Sequence, residues 1–283
     1  MLKSAARGFR VATWLGWQIE SNWTDPFLFF IYSMLKPIAS VMILVVMYLV
    51  VSRADTQSPL FAYIYLGNAF YIYVTGVMVG VSWAVIDDRE HYSSLKYIYL
   101  APIPYMVYLF GRGVSRLITA TMAVVITLTF GILVLGLKLN PSQMNVPLFL
   151  ATLIVGVIGL ALIGLFLGGA SLLFTQEAWH LGDAVAGALY LFSGAIFPLT
   201  VLPDWLRPIG YALPITYWLE LIRRALLGSG AAAFPTLAGF GDAQLFGILV
   251  GITVVYGIGA VLYFRWAENR ARKLGLFDRE SHS

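Results

Sequence analysis

Cysteine is absent, charge is scarce, and no phosphate-binding loop is present. Without cysteine, both a disulfide framework and a thiolate metal site are excluded. Charged residues make up 11% of the 283 positions and hydrophobic residues 60%, with a mean hydropathy of +0.82. A soluble domain carries roughly 25% charge. This composition belongs to a polytopic membrane protein. Crossing the bilayer takes nearly the whole chain, so no soluble domain is expected beside the spans. With no Gly/Lys loop of the Walker type, the chain does not bind ATP by that route. Orientation in a membrane accounts for the small net charge of +4, which gives no ground for a nucleic-acid partner. A cleavable signal is not expected either, because Arg7, Arg10, Gln18 and Glu20 interrupt the first apolar residues.

The stretch that organises the chain is Ser193 to Gly228. It starts as a span, is expected to break at Pro198, and runs on through Pro203, Pro208 and Pro214. Yet it still carries Phe197, Leu202, Trp205, Ile209, Tyr217 and Trp218. So many apolar residues have little reason to form a water-exposed loop. Four prolines rule out one continuous helix, since each removes a backbone donor and clashes with the preceding turn. Short helical pieces that enter the bilayer edge and return fit both facts, provided that surrounding protein satisfies the broken backbone. The plainer reading is a proline-rich interfacial connection.

Residues 1–25 read as an amphipathic helix lying in the headgroup layer, with Trp14, Trp17 and Trp23 as anchors. Six spans follow, at about 26–51, 61–86, 105–137, 147–174, 184–197 and 243–266. With both termini inside, 12 basic residues fall on the inner side and 5 on the outer, Lys36 being the last of 18. Gly164 with Gly168, and Gly247 with Gly251, are spaced for close helix approach.

Four groups of residues are candidates for function. Lys36 lies roughly 15 Å along the first span, at 1.5 Å per residue. It must snorkel or face protein. Tyr63, Tyr65, Tyr71 and Tyr73 read as an aromatic belt, or as a face that meets an amphipathic substrate. Asp87, Asp88, Arg89, Glu90 and His91 interrupt the chain between spans two and three. On a helix such consecutive residues point in several directions, so a docking surface fits better than a metal or acid–base site, even with Glu177, His180 and Asp183 on the same side. Finally, Glu220 and Arg224 stand at i,i+4 and can pair, while Arg223 and Arg224 are candidates for lipid or substrate headgroups.

The whole chain resembles a permease subunit of the ABC-2 class of ATP-binding-cassette transporters. Asp88-Arg89-Glu90, Leu95 and Leu100-Ala101-Pro102 resemble the family's acidic stretch and closing Leu-x-x-Pro. Lys96 departs from it, standing where the family often has an acid. Phe192 to Pro198, Leu202-Pro203-x-Trp205, Pro214-Ile215-Thr216-Tyr217 and Arg223 to Gly228 carry the longer match. The resemblance implies an all-α membrane fold of six spans, with an interfacial N-terminal helix and a coupling helix at about 87–101. That helix would seat in a separate ATPase subunit through Asp88, Glu90, His91, Leu95, Tyr97 and Pro102. It also implies a re-entrant outer gate at about 198–228, formed by Phe197, Pro198, Leu202, Pro203, Trp205, Pro214 and Tyr217. Two ATPase copies would bind ATP and Mg, and a second permease chain would complete the route in the cytoplasmic membrane.

The expected function is therefore export of an amphipathic or lipid-like molecule, with Lys36, Tyr71, Tyr73, Arg223 and Arg224 as candidate contacts and no catalytic residue. A polysaccharide or lipid-linked glycan is the alternative cargo. An ion-gradient transporter is a competing class, though acidic residues are missing from the spans. A lipid-modifying enzyme fits least, because the spans offer almost no polar groups beyond Lys36.

Overall fold

The computed structural model describes residues 2–22, 25–51, 58–101, 103–174, 178–228 and 237–276. Expectations resting on Trp23, Arg53, Pro102, Glu177 and Arg279 lie outside them. Among the described residues the regular elements are all helical. They are α1 (Leu2–Ser21), α2 (Pro26–Val51), α3 (Pro59–His91), α4 (Leu95–Leu100) and α5 (Tyr105–Leu133), then α6 (Val146–Leu173), α7 (Ala178–Phe192), α8 (Arg207–Ala212), α9 (Pro214–Leu227) and α10 (Asp242–Lys273). Helices α3, α5, α6 and α10 are long and apolar enough to cross a membrane. Helix α2 has 26 residues, with its apolar stretch at Leu35–Val50. Helix α7 has only 15, short of the roughly 20 that a bilayer core takes.

The helices line up between two ends. One, the basic end, carries the start of α5, helix α4 and the Arg270, Arg272, Lys273 turn of α10. The other, the proline-rich end, carries α8, α9 and the start of α10. Helix α6 packs against α3, α9 and α10, and its glycines make this possible. A Cβ on Gly164 would come within 2.6 Å of the Met78 carbonyl in α3, and one on Gly169 within 3.3 Å of Phe264 in α10. The Gly164/Gly168 spacing thus does what close approach requires. Gly247 and Gly251 have no neighbour within 4 Å among the described residues.

That contrast sets a prediction. A Cβ on Gly156 would fall 2.1 Å from the Trp218 ring, and overpacking of this kind costs about 1–3 kcal/mol. Gly156→Val should lower the melting midpoint of the detergent-solubilised protein by several degrees. Gly251→Ala should leave it unchanged.

Three expectations need correction. The acidic cluster does not begin a separate helix after the second span. Helix α3 runs on through it, and Asp87–His91 forms its final π turn, a second such turn lying at Val74–Met78. The expected helix at about 87–101 therefore separates into this turn and α4, joined through Ser93 at φ 47°. The four tyrosines are not a belt. Tyr63, Tyr65, Tyr71 and Tyr73 are all buried: Tyr65 donates to the Thr127 carbonyl, Tyr71 to the Ala186 carbonyl, and Tyr73 to Thr121 Oγ1 over 3.1 Å. The chain also leaves helix at Ser193, ahead of Pro198, through Gly194 at φ 75°, a backbone region that glycine enters without strain.

The later prolines sit where helices tolerate them, in first turns: Pro208 in α8 and Pro214 in α9. Every residue of α9 from Pro214 to Arg223 is buried. Thr216 donates to the Gly210 carbonyl over 2.7 Å and Tyr217 to the Tyr211 carbonyl over 2.8 Å, which ties α9 back to α8.

Candidate functional site: a groove between two anchored ends

A groove of about 910 Å³ lies between α2, α3, α5 and α7. Lys36 and Ser40 line it from α2, Asn68, Tyr71, Thr75 and Trp83 from α3, Arg116 from α5, and Asp183 and Tyr190 from α7. Thr75, in the middle π turn, is exposed in an otherwise buried part of α3. The extra residue of that turn redirects the helix face, and such turns recur at functional sites. On α3 the lining stops at Asn68 and on α2 at Val41. Towards the proline-rich end the space closes, with the rings of Tyr48 and Phe61 5.5 Å apart and Phe61 and Tyr65 5.7 Å apart.

The groove is aromatic and polar together. Tyr71 donates to the Ala186 carbonyl and Tyr190 to Asn68 Oδ1, and their rings lie 4.7 Å apart. At its α1 side, Glu20 pairs with Arg116 at 2.7 Å. Burial pushes the Glu20 carboxyl above its ordinary pKa, against the pull of Arg116 and Arg112. Lys36 and Asp183 are exposed and enter no ion pair among the described residues. Lys36 thus faces the groove, as does Tyr71. Tyr73, buried on Thr121, does not line it.

At the basic end the π turn sends its charges to two spans. Asp88 accepts from Arg112 at 2.9 Å and from the Tyr108 hydroxyl at 3.1 Å, both on α5. Arg89 donates to the Ser171 carbonyl of α6 at 2.7 Å and pairs with Glu90 at 2.8 Å. Asp88 is 1% exposed and Arg112 5%, so Asp88 is an internal strut. Leu95 is buried as well, anchoring α4. His91, Lys96, Tyr97 and Leu100 point outward; Leu100, 83% exposed, had only its place in a motif to mark it. The pairing of Asp88 with Arg112, 24 positions away, has no sequence signal beyond complementary charge. Among the described residues no group of three or more His, Asp or Glu is arranged for a metal.

At the proline-rich end Arg223 is buried, stacked 3.6 Å over the Tyr63 ring. It donates to the carbonyls of Tyr63 (3.1 Å), Gly194 (2.8 Å) and Ala195 (3.0 Å). Arg224 pairs with Glu220 at 3.0 Å, as i,i+4 spacing suggests, and with Asp242 at 3.1 Å. Leu202 is buried, Phe197 and Pro198 are half-buried, and Pro203 and Trp205 are exposed on the turn before α8.

Four helices of spanning length and apolar composition mark a multi-pass membrane protein. More particularly, the chain belongs to the ABC-2 type transporter family, whose profile matches residues 9–227, and it is a permease of that class. It is also 29% identical over 153 residues to a protein named "Probable multidrug ABC transporter permease YbhR" in Escherichia coli K12, and equally to its counterpart in Escherichia coli O157:H7. The match covers 54% of this chain and 40% of each relative.

Proposed function

We propose that the chain is the permease subunit of an ATP-driven exporter that moves an amphipathic small molecule out across the cytoplasmic membrane. The basic end faces the cytoplasm, as the basic-residue bias favours. Six spans are counted by adding α2 and α7 to the four long apolar helices, α7 being extended by the buried residues 193–195 and the half-buried residues up to Pro198. The segment 198–228 is the re-entrant cap on the outside. A separate ABC ATPase, in two copies, binds ATP and Mg and seats the exposed face of α4, while a second permease chain completes the route.

The observation that carries this reading is the groove, lined by apolar, aromatic and polar side chains together and shut by aromatic rings towards the cap. Tyr71, Trp83 and Tyr190 suit an apolar body, and Lys36, Asp183 and Asn68 a polar group. A molecule with one of each is held there without a water-filled channel. The groove's 910 Å³ is at the upper end of small-molecule pockets, and for that reason a small amphiphile is favoured over a glycan chain.

The test is purification of the tagged protein from its native membrane in mild detergent. A stoichiometric soluble ATPase should come with it, and Tyr97→Glu or Leu100→Glu should reduce its recovery at least tenfold while the permease stays monodisperse. An ATPase-free oligomer whose transport follows an ion gradient would overturn the proposal.

A further inference from the structure

Helix α10 is clamped at both ends by side chains that belong to the two functional ends of the molecule. At the basic end, the Arg272 guanidinium lies 4.6 Å over the Tyr99 ring of α4 and is itself held by Glu268 at 2.8 Å. Leu95, the buried anchor of α4, belongs to the same apolar cluster as Phe264, Ala271 and Leu276 from the end of α10 and beyond. Phe264 also stacks on Tyr105, with ring centroids 6.1 Å apart. At the proline-rich end, Asp242 in the first turn of α10 pairs with Arg224 of α9 at 3.1 Å. Leu245 and Leu249 join Trp218 and Leu221 in the main core.

Between the clamps, α10 is one uninterrupted helix of 32 residues without proline, about 48 Å long at 1.5 Å per residue. It packs closely along α6. A Cβ on Gly257 would meet Leu162 at 2.9 Å, and Tyr263 stacks on Phe166 at 4.3 Å. Packed along α6 and held at both ends, a helix that stays regular through Gly247, Gly251, Gly257 and Gly259 transmits displacement rather than absorbing it.

We infer that α10 is a connecting rod that carries movement of α4 to the α8–α9 cap. Tyr99 and Arg272 are the positioning residues at one end, and Asp242 and Arg224 those at the other. This rests on the exporter reading, and adds a route to the cap that bypasses the groove-lining helices. The contact is cation–π, so it depends on the ring and the charge.

The lack of native cysteine allows a clean test in the complex with its ATPase. Leu202→Cys, in the buried part of the cap, reports opening through its labelling rate with a membrane-impermeant maleimide, with and without trapping by ATP and vanadate. Tyr99→Ala and Arg272→Ala should reduce the nucleotide-dependent change in rate at least fivefold while ATP hydrolysis continues. Tyr99→Phe and the exposed Arg270→Ala should keep it. If either alanine variant loses the ATPase, the pair Val255→Gly and Ile258→Gly softens the rod at exposed positions far from α4 and should blunt the change by itself. A full nucleotide response in the alanine variants, or in the softened rod where they lose the ATPase, would overturn the rod. No nucleotide response in the Leu202→Cys parent, or no ATPase bound to it, would instead bring down the exporter reading.

Discussion

Arg112→Met should be among the most damaging single substitutions in the molecule, lowering stability by about 3–5 kcal/mol, the range for a buried ion pair that loses one partner. Asp88 keeps only the Tyr108 hydroxyl once the guanidinium is gone, and its Oδ2 already lacks a hydrogen-bond partner among the described residues. The carboxylate is too enclosed to turn to water. Folded protein recovered by size exclusion after heating should fall steeply. Asp88→Asn should be milder, because Arg112 retains Tyr108 at 3.1 Å and Asp87 at 3.6 Å. The double variant Asp88→Leu with Arg112→Met should recover much of the loss, since neither charge is then stranded. If the double variant is as unstable as Arg112→Met alone, the pair is not the source of the effect.

The two ends were readable from sequence to different depths. At the proline-rich end, four prolines among large apolar residues admit few solutions, and the short pieces found there obey the rule that proline sits in a first turn. The break falls ahead of Pro198 because its position depends on Gly194 and on Arg223 gathering the carbonyls beyond it, a contact across 28 or 29 positions. At the basic end, Asp88 and Arg89 point to different spans, as consecutive residues on a helix should, although Asp87 shares Arg112 with Asp88. Their targets, Arg112 and the Ser171 carbonyl, follow only from how α3, α5 and α6 pack. The tyrosines misled for a similar reason. A tyrosine near the start of an apolar run looks the same whether its hydroxyl meets water at an interface or a carbonyl of the next helix. The groove had no sequence signature, because it is made by four helices and a π turn that local pattern does not announce.

Gly67 is expected to be as intolerant as any core position, although it lies within a helix where glycine is usually the weaker choice. A Cβ there would stand 2.0 Å from the Ala195 carbonyl oxygen and 2.2 Å from Arg223 Nη2. The first of these is backbone and cannot swing aside. Gly67→Ala therefore forces α3 away from the Gly194–Ala195 turn and breaks hydrogen bonds that Arg223 makes there. Arg223→Met removes them outright, leaving three carbonyls without their donor at about 1–3 kcal/mol for each that stays buried. Arg223→Lys should fall between that variant and the parent, because an ammonium lacks the planar fork that reaches Tyr63, Gly194 and Ala195 together. Thermal unfolding should rank Arg223→Met below Arg223→Lys, with Gly67→Ala well below the parent. In the Leu202→Cys background, Gly67→Ala should also raise maleimide labelling without any nucleotide. The two losses should add to less than their sum in the double variant, since methionine relieves one of the two clashes that Gly67→Ala creates. Strict additivity would mean that Gly67 and Arg223 act independently, and the cap would then be held by the packing of α9 alone.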